Sequence, residues 1–420
     1  MISVEEALKR ILDSFSPLGL EKVSILDALG RVIGEDIYAG RALPPKDHSV
    51  MDGYALRSVD TRGTSPENPV IFDIVEDIPA GAIPKMRIQV GQAARIMTGA
   101  PLPKGADAVV RMEDARKEGN RVVLFVEARK GQNIRYAGED VQAGEKVLSR
   151  GEIIRPAEVG MLASLGRSFI LIHQRPLVAI VATGDELAGI DEPPSPWKII
   201  GSNSYSLAAL VRECGGIPIQ TGIAKDRRED LLAKFRAVMR ADIILSSGGV
   251  SVGDYDLVKE IMKGPGNRMQ FWQVAMKPGR PLAFGALGDV PIVGLPGNPV
   301  SSMVCFEQLI RPAILKMLGH ENLFRRTVRA RLGEDITKKK GMRYFIRARI
   351  RRDGEDYVVV TTDRQGSDIL KSMVRVNGLI ILPEEATTVR KGSMVKVQLL
   401  DDALERMPSL GYSAIQTVAI

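Results

Sequence analysis

Cysteine is nearly absent from this 420-residue chain, which has only Cys214 and Cys305, in unrelated contexts. Two thiols so placed exclude a disulfide framework and a four-cysteine zinc site. The three histidines, His48, His173 and His320, are scattered, which argues against a three-His metal centre. Aromatic residues make up 5% of the chain, too few for a stacking platform that would hold single-stranded nucleic acid. No apolar run approaches the ~18 residues that cross a bilayer. Met1 opens directly into a polar helical pattern, with no basic and apolar leader. The expectation is a soluble cytoplasmic protein with no signal peptide and no membrane partner.

What is present is enough for several cores. The length predicts two to four domains. Hydrophobic residues are 45% and charged residues 26%, a globular balance. The formal charge of +7 is concentrated: Arg325 to Arg352 holds twelve Lys or Arg against two acids. Basicity confined to one segment reads as a solvated basic face, with a specific anion site inside it as the sharper alternative, and not as a general nucleic-acid signature.

The pattern changes character along the chain. Ser3 and Glu6 form a capping box that starts a helix. From Pro44-Pro45 to about Val141, short apolar runs alternate with Gly and Pro turns. This predicts a β-domain over 44–141, inserted into a helical part made of 1–43 and 142–173. Over 174–322, apolar runs such as Leu177 to Val181 and Ala241 to Leu245 alternate with helical stretches. Such runs suit strands buried on both faces of a parallel sheet. Asn298 as cap and Pro299 at the first position predict one long helix from Pro299 to Leu318. Over 323–402 a small β-barrel or sandwich is expected. In its clearest strand, period two puts Tyr344, Ile346, Ala348 and Ile350 on one face. Arg343, Arg347, Arg349 and Arg351 fall on the other. Residues 403–420 read as a tail.

Several stretches could carry chemistry. Ser246-Ser-Gly-Gly-Val-Ser-Val-Gly-Asp-Tyr-Asp256 follows a buried strand, where open α/β sheets bind ligands. Gly248 and Gly249 let backbone N–H groups reach an anion, and Ser247 and Ser251 add donors. Asp254 and Asp256 beside a phosphate cradle make sense if a divalent cation bridges them. A tight strand-to-helix turn with capping serines explains the same residues equally well. Thr183-Gly-Asp-Glu-Leu187 places Asp185 and Glu186 at the equivalent edge, as a ligand for a hydroxyl or metal or as acids decorating a helix start. Ser202-Asn203 reads as a cap first. Lys277-Pro-Gly-Arg-Pro281 fixes Lys277 and Arg280 in a rigid loop suited to an oxyanion, or is a surface turn. Gly294-Leu-Pro-Gly-Asn-Pro299 turns helix N–H groups toward the sheet edge. Asp52, Thr98 and Asp140 are unremarkable alone.

Together, however, MDGYA (51–55), RIMTGAP (95–101), GED (138–140), TGDEL (183–187), SSGGVSVGDYD (246–256), KPGRP (277–281) and GLPGNPVS (294–301) resemble, in order, the molybdopterin molybdenumtransferases of the MoeA type, also found as the E domain of gephyrin. Arg347 and Gln365-Gly-Ser367 extend the resemblance more loosely. It implies four parts: a helical linker domain, an inserted β-domain, a molybdopterin-binding α/β domain and a C-terminal β-barrel. It also implies an elongated homodimer with its active cleft between subunits. The activity implied is insertion of molybdate or tungstate into adenylyl-molybdopterin with release of AMP. By the same resemblance Asp52, Thr98, Asp140, Glu186, Asp226 and Asp256 serve the reaction, with Mg²⁺ near Asp226 and Asp256. Lys277 and Arg280 would hold phosphate or oxyanion, Pro296 and Pro299 would shape the cleft, and Arg347 and Ser367 would reach in from the barrel. Arg280 is often lysine in relatives, so its forked contact is a departure. A molybdopterin adenylyltransferase is a candidate partner. Three rivals remain: the adenylylation step itself, done by proteins like the α/β domain alone; a non-catalytic gephyrin-like scaffold; and a nucleic-acid binder, which rests only on the basic segment.

Overall fold

The computed structural model describes residues 1–193, 195–249, 257–354, 356–362, 364–402 and 404. Two compact units emerge, one made of 1–21 with 173–420 and the other of 22–172.

The larger unit is built on a six-stranded sheet. Its strands are β1 (Leu177–Thr183), β2 (Ile217–Ala224), β3 (Ile243–Ser247), β4 (Asn267–Gln273), β6 (Pro281–Leu287) and β7 (Val290–Leu295). A short strand, β5 (Met276–Lys277), lies outside it. Their order is β2-β1-β3-β7-β6-β4, the first four parallel and the last two added antiparallel. Alternate residues serve opposite faces. Val178, Ile180, Ile243 and Leu245 join one core, and Ala179, Val181 and Ile244 join another. Period-two alternation is thus masked in the sequence because both faces are apolar, as in sheets covered by helices on both sides.

The first core is covered by the helix Val4–Asp13 (α1), Ser202–Glu213 (α2) and the helical run that begins at Pro299. Val4, Ala7 and Ile11 of α1 are buried there. The N-terminal helix therefore groups with the sheet, whereas the sequence pattern grouped 1–43 with 142–173. Ser3 caps it as expected, its hydroxyl accepting from Glu6 N at 3.1 Å.

The long helix is not uniform. It is α-helical over Pro299–Cys305 (α3), widens to a π-helix over Phe306–Ile310 and resumes over Arg311–Met317 (α4). Pro312 explains the break: it has no N–H to give and its ring crowds the preceding turn, which the wider π turn relieves. Asn298 does stand at the cap position, but its side chain makes no cap hydrogen bond.

The C-terminal strands β8 (Thr327–Leu332), β9 (Arg343–Asp353), β10 (Asp356–Thr361), β11 (Gly378–Leu382) and β12 (Met394–Leu399) form a closed ring in the order β9-β10-β8-β12-β11-β9. This is the expected barrel in closed form. Alternation in β9 holds only in its second half. Arg349 and Arg351 are exposed, but Phe345 and Arg347 on the same side are buried. Phe345 belongs to the core shared with the sheet helices, so the first half of β9 has the α/β layer over its outer side. Arg347 is therefore not on the solvated basic face.

The smaller unit, 22–172, contains a six-stranded sheet of short strands with Gly53–Leu56 and Gln92–Ile96 near its middle. Tyr54, Leu56 and Phe72 pack on one side, and Ala55, Ile78 and Ile96 on the other. The strands of this sheet run from Gly53 to Leu124, within the span 44–141 read from the sequence as a β-domain. The flanking segments form their own cluster around Ile33, Leu148 and Leu162. They carry short strand pairs as well as the helix Pro156–Ser164. That helix starts on two bonds from Arg155 to the Glu158 carboxylate, from its N–H at 2.9 Å and from its guanidinium at 2.6 Å. The Arg155 side chain, first among these partners, pulls the Glu158 carboxyl down to about 2. A carboxyl depressed in the folded state gives stability that is present above its ordinary value of 4.5 and is lost as pH falls toward 2. Because the arginine is exposed, about 1 kcal/mol is the expected size. Thermal melts from pH 6 to pH 2.5 should show Glu158→Gln converging on the parent at the acid end. A constant gap between the two would contradict it.

No helix among the described residues is long and apolar enough to cross a membrane.

Candidate active site

The carboxyl ends of β1, β2, β3 and β7 open into a cleft of 690 Å³. The ends of β1, β3 and β7 deliver the TGDEL, SSGG and GLPGNP motifs, and the end of β2 delivers Asp226. Thr183 closes β1, and its hydroxyl donates to Asp226 Oδ1 at 2.7 Å, just beyond β2. Asp185 N donates to the other oxygen at 3.3 Å, and Asp226 N donates back to Asp185 Oδ1 at 3.3 Å. Asp226 is thus oriented from two sides yet exposed, and it lines the cleft with Glu186.

Gly248 and Gly249 follow β3 with positive φ, +100° and +66°. A Cβ on Gly248 would stand 2.6 Å from Thr183 O, and one on Gly249 would stand 2.8 Å from Val258. Only glycine lets the backbone turn this tightly against β1. Ser247 and Asn203 tie the neighbouring turn together. Asn203 Nδ2 donates to Ser247 Oγ at 2.8 Å and to Gly297 O at 2.7 Å. Asn203 lies inside α2, whose cap position is Gly201; it clamps the cleft rather than capping a helix. Ser251 and Asp256, like Asp254, lie outside the described residues.

A second cavity, of 1050 Å³, adjoins the first and shares Pro281, Pro296, Asn298 and Asp368 with it. Lys277, Arg280, Lys338, Lys339 and Arg347 line it, against the acids Asp335 and Asp368. It is a cationic hollow between the KPGRP loop and the barrel. Gly279 in that loop has φ +106°, and a Cβ there would fall 2.3 Å from Cys305 Sγ. This pins Lys277 and Arg280 above α3. Asn298 Nδ2 donates to Ser367 Oγ at 2.8 Å, and Val300 N to Ser367 O at 3.2 Å, so Ser367 does reach from the barrel to the helix start. Arg347 is fully buried. Its Nη2 donates to Arg364 O at 3.1 Å and Gly366 O at 3.0 Å, while Nε and Nη1 meet no acceptor among the described residues. Burial lowers the affinity of its guanidinium for the proton, and Asp368 opposes that.

Asp52 and Thr98 come together in the smaller unit. Asp52 Oδ1 accepts from Thr98 N and from Thr98 Oγ1, both at 2.8 Å. These two bonds, backbone first, hold the carboxyl below the usual range. Asp140 pairs with Arg135 at 3.8 Å. Among the described residues no three His, Cys, Asp or Glu side chains converge as a metal site. Cys214 and Cys305 are buried, and burial pushes both thiols well up.

Three family models cover the chain: the MoeA N-terminal region (domain I and II) over 2–166, a probable molybdopterin binding domain over 179–316, and the MoeA C-terminal region (domain IV) over 329–400. Molybdopterin molybdenumtransferase 2 of Mycobacterium tuberculosis is 38% identical over 407 residues, spanning 94% of this chain and 99% of the relative. The chain belongs to the MoeA family. The molybdopterin molybdenumtransferase of a Nostoc species is 36% identical over 386 residues, 90% of this chain and 88% of the relative. A MoeA crystal structure from Pyrococcus horikoshii superposes with TM-score 0.83 at 30% identity, covering 95% of this chain and 99% of its own. Of the residues singled out in the sequence, Glu186, Asp226, Ser247, Gly248, Gly249, Pro296 and Pro299 line the first cleft. Sequence reasoning missed Asn298 as a wall residue, Asp368 and Lys338. Asp368 adjoined a noted motif; Lys338 stood in a basic run with nothing to single it out.

Proposed function

We propose that this chain completes molybdenum cofactor synthesis by transferring an oxyanion metal onto adenylyl-molybdopterin and releasing AMP. The observation that carries the reading is the pair of adjoining cavities: a glycine-walled cleft with carboxylates, and a cationic hollow sharing its wall. The first suits a pterin and its phosphates, since strand-end glycines offer backbone N–H groups to an anion. The second suits a tetrahedral oxyanion, with Lys277 and Arg280 neutralising it and Arg347 and Ser367 supplying donors from the barrel.

Pro281 and Pro296 keep the shared wall rigid, with Asp368 on it, and Pro299 shapes the first cleft beside them. Dithiolene sulfurs of the substrate take the metal, so no protein thiol is needed. Two sulfurs replacing one oxyanion oxygen release one water, and cleaving the phosphoanhydride consumes one. Glu186 and Asp226 face the phosphate end of the cleft. A hard cation needs only one or two carboxylates when phosphate supplies the rest, so Asp226, with Asp256, would hold Mg²⁺. When bound, that ion screens the phosphoanhydride charge. Asp52, Thr98 and Asp140 are assigned to the transfer step as well. The working form is proposed to be a cytoplasmic homodimer, with a molybdopterin adenylyltransferase as the source of its substrate.

The test is to incubate the purified chain with adenylyl-molybdopterin, Mg²⁺ and either molybdate or tungstate, and to measure AMP together with metal-loaded cofactor. Oxyanion-dependent AMP release is expected, and the faster oxyanion identifies the metal. ATP-dependent adenylylation of free molybdopterin would instead favour the preceding step. No release at all from a folded protein would leave the scaffold reading.

A further inference from the structure

The cationic hollow contains a charge that none of its proposed ligands requires. Lys338 is buried, and its ammonium donates to three backbone carbonyls: Met342 O at 2.9 Å, Glu384 O at 3.2 Å and Lys339 O at 3.3 Å. Those three bonds use all its protons. It forms no ion pair among the described residues. It sits 4.8 Å from the ring centroid of Tyr344. A buried cation balanced only by neutral dipoles and a ring face is costly to keep. It is not a misplaced surface lysine, because the carbonyl cage fixes it in the cavity wall.

The same ring serves a second cation. Lys277 Nζ lies 5.3 Å from the Tyr344 centroid. Lys277 and Tyr344 are direct cross-strand partners where β5 pairs with β9. Tyr344 therefore stands between an exposed lysine that can touch a ligand and a buried one that cannot.

We propose that Lys338 is a charge-selectivity residue of the hollow and that Tyr344 is the positioning residue for Lys277. Lys338 does not touch the oxyanion; it raises the positive potential so that a tetrahedral dianion is favoured over a monoanion of similar shape. Tyr344 holds the Lys277 ammonium over its ring, facing the cavity. This rests on the assignment of the hollow to the oxyanion.

The experiment is calorimetric titration of the full chain with molybdate, a dianion, and with perrhenate, a tetrahedral monoanion. An interaction through charge scales with the charge of the ligand. Lys338→Met is therefore expected to weaken molybdate about tenfold and perrhenate about threefold, narrowing the preference between them. Tyr344→Leu should weaken both, and Tyr344→Phe, which keeps the ring, should restore parental affinity. If Lys338→Met weakens both anions by the same factor, the residue is structural and the selectivity role falls. If Tyr344→Phe fails as Tyr344→Leu does, the ring is not what positions Lys277. If the parent chain binds neither anion, the assignment of the hollow itself is overturned, and this inference goes with it.

Discussion

Asp226→Asn is expected to slow oxyanion-dependent AMP release by about 10²-fold, in the range seen when one preorganised electrostatic group is lost. The substitution is chosen for what it keeps. An asparagine oxygen still accepts the Thr183 hydroxyl, now at 2.7 Å, so the ends of β1 and β2 stay joined. The charge goes, and with it the longer bond that Oδ2 accepts from Asp185 N at 3.3 Å. If Asp226 helps hold Mg²⁺, raising that ion should recover part of the rate, because weaker binding is offset by mass action. A loss that no concentration of Mg²⁺ touches would place the carboxylate against the substrate instead. Unchanged turnover would reduce Asp226 to a tether for Thr183. Melting temperature should be the same for both proteins within about 2 °C, since the change is on an exposed group.

Arg347→Met is expected to weaken molybdate binding close to a hundredfold while moving stability little. Nε and Nη1 meet no acceptor among the described residues although the side chain is fully buried. Two charge-assisted bonds to a ligand would contribute about 3 kcal/mol, or about two decades in Kd. The stability side nearly cancels. Methionine forfeits the bonds to Arg364 O and Gly366 O, but it also removes a buried charge that no carboxylate among the described residues contacts directly, and such a replacement is often neutral. Calorimetric titration beside a thermal melt separates the two effects. A large drop in melting temperature with affinity intact would make Arg347 a brace for the 364–366 loop and nothing more.

Arg347 also marks where sequence reading stopped. Its period-two partners Arg349 and Arg351 are exposed as expected, but a strand that runs from open solvent to beneath another layer changes environment midway. Nothing local records that. The same holds for Asn203, which meets Gly297 across 94 positions. Its place at a helix start made a cap the simpler explanation. By contrast, Gly248, Gly249 and Glu186 were legible as candidates because apolar runs located the strands and these residues lie directly after them, whereas Asp226 came only from the family resemblance. The sheet itself was readable from the same apolar runs. The grouping of α1 with the sheet was not, because Val4, Ala7 and Ile11 specify an apolar stripe without naming what covers it.

The small strand β5 has one more consequence. Met276–Lys277 belongs by sequence to the α/β layer, yet it pairs with Arg343–Tyr344 of the barrel. Along that stretch β9 has a ring neighbour on one side only, since its pairing with β10 begins at Ala348. The α/β layer thus lends a strand to a ring that is closed elsewhere. A barrel cut free at about residue 323 would show that length of β9 as a bare edge, free to template pairing with another copy. Where one domain ends in sequence is therefore not where it ends in hydrogen bonds, and a fragment made for separate study should carry the KPGRP loop with it.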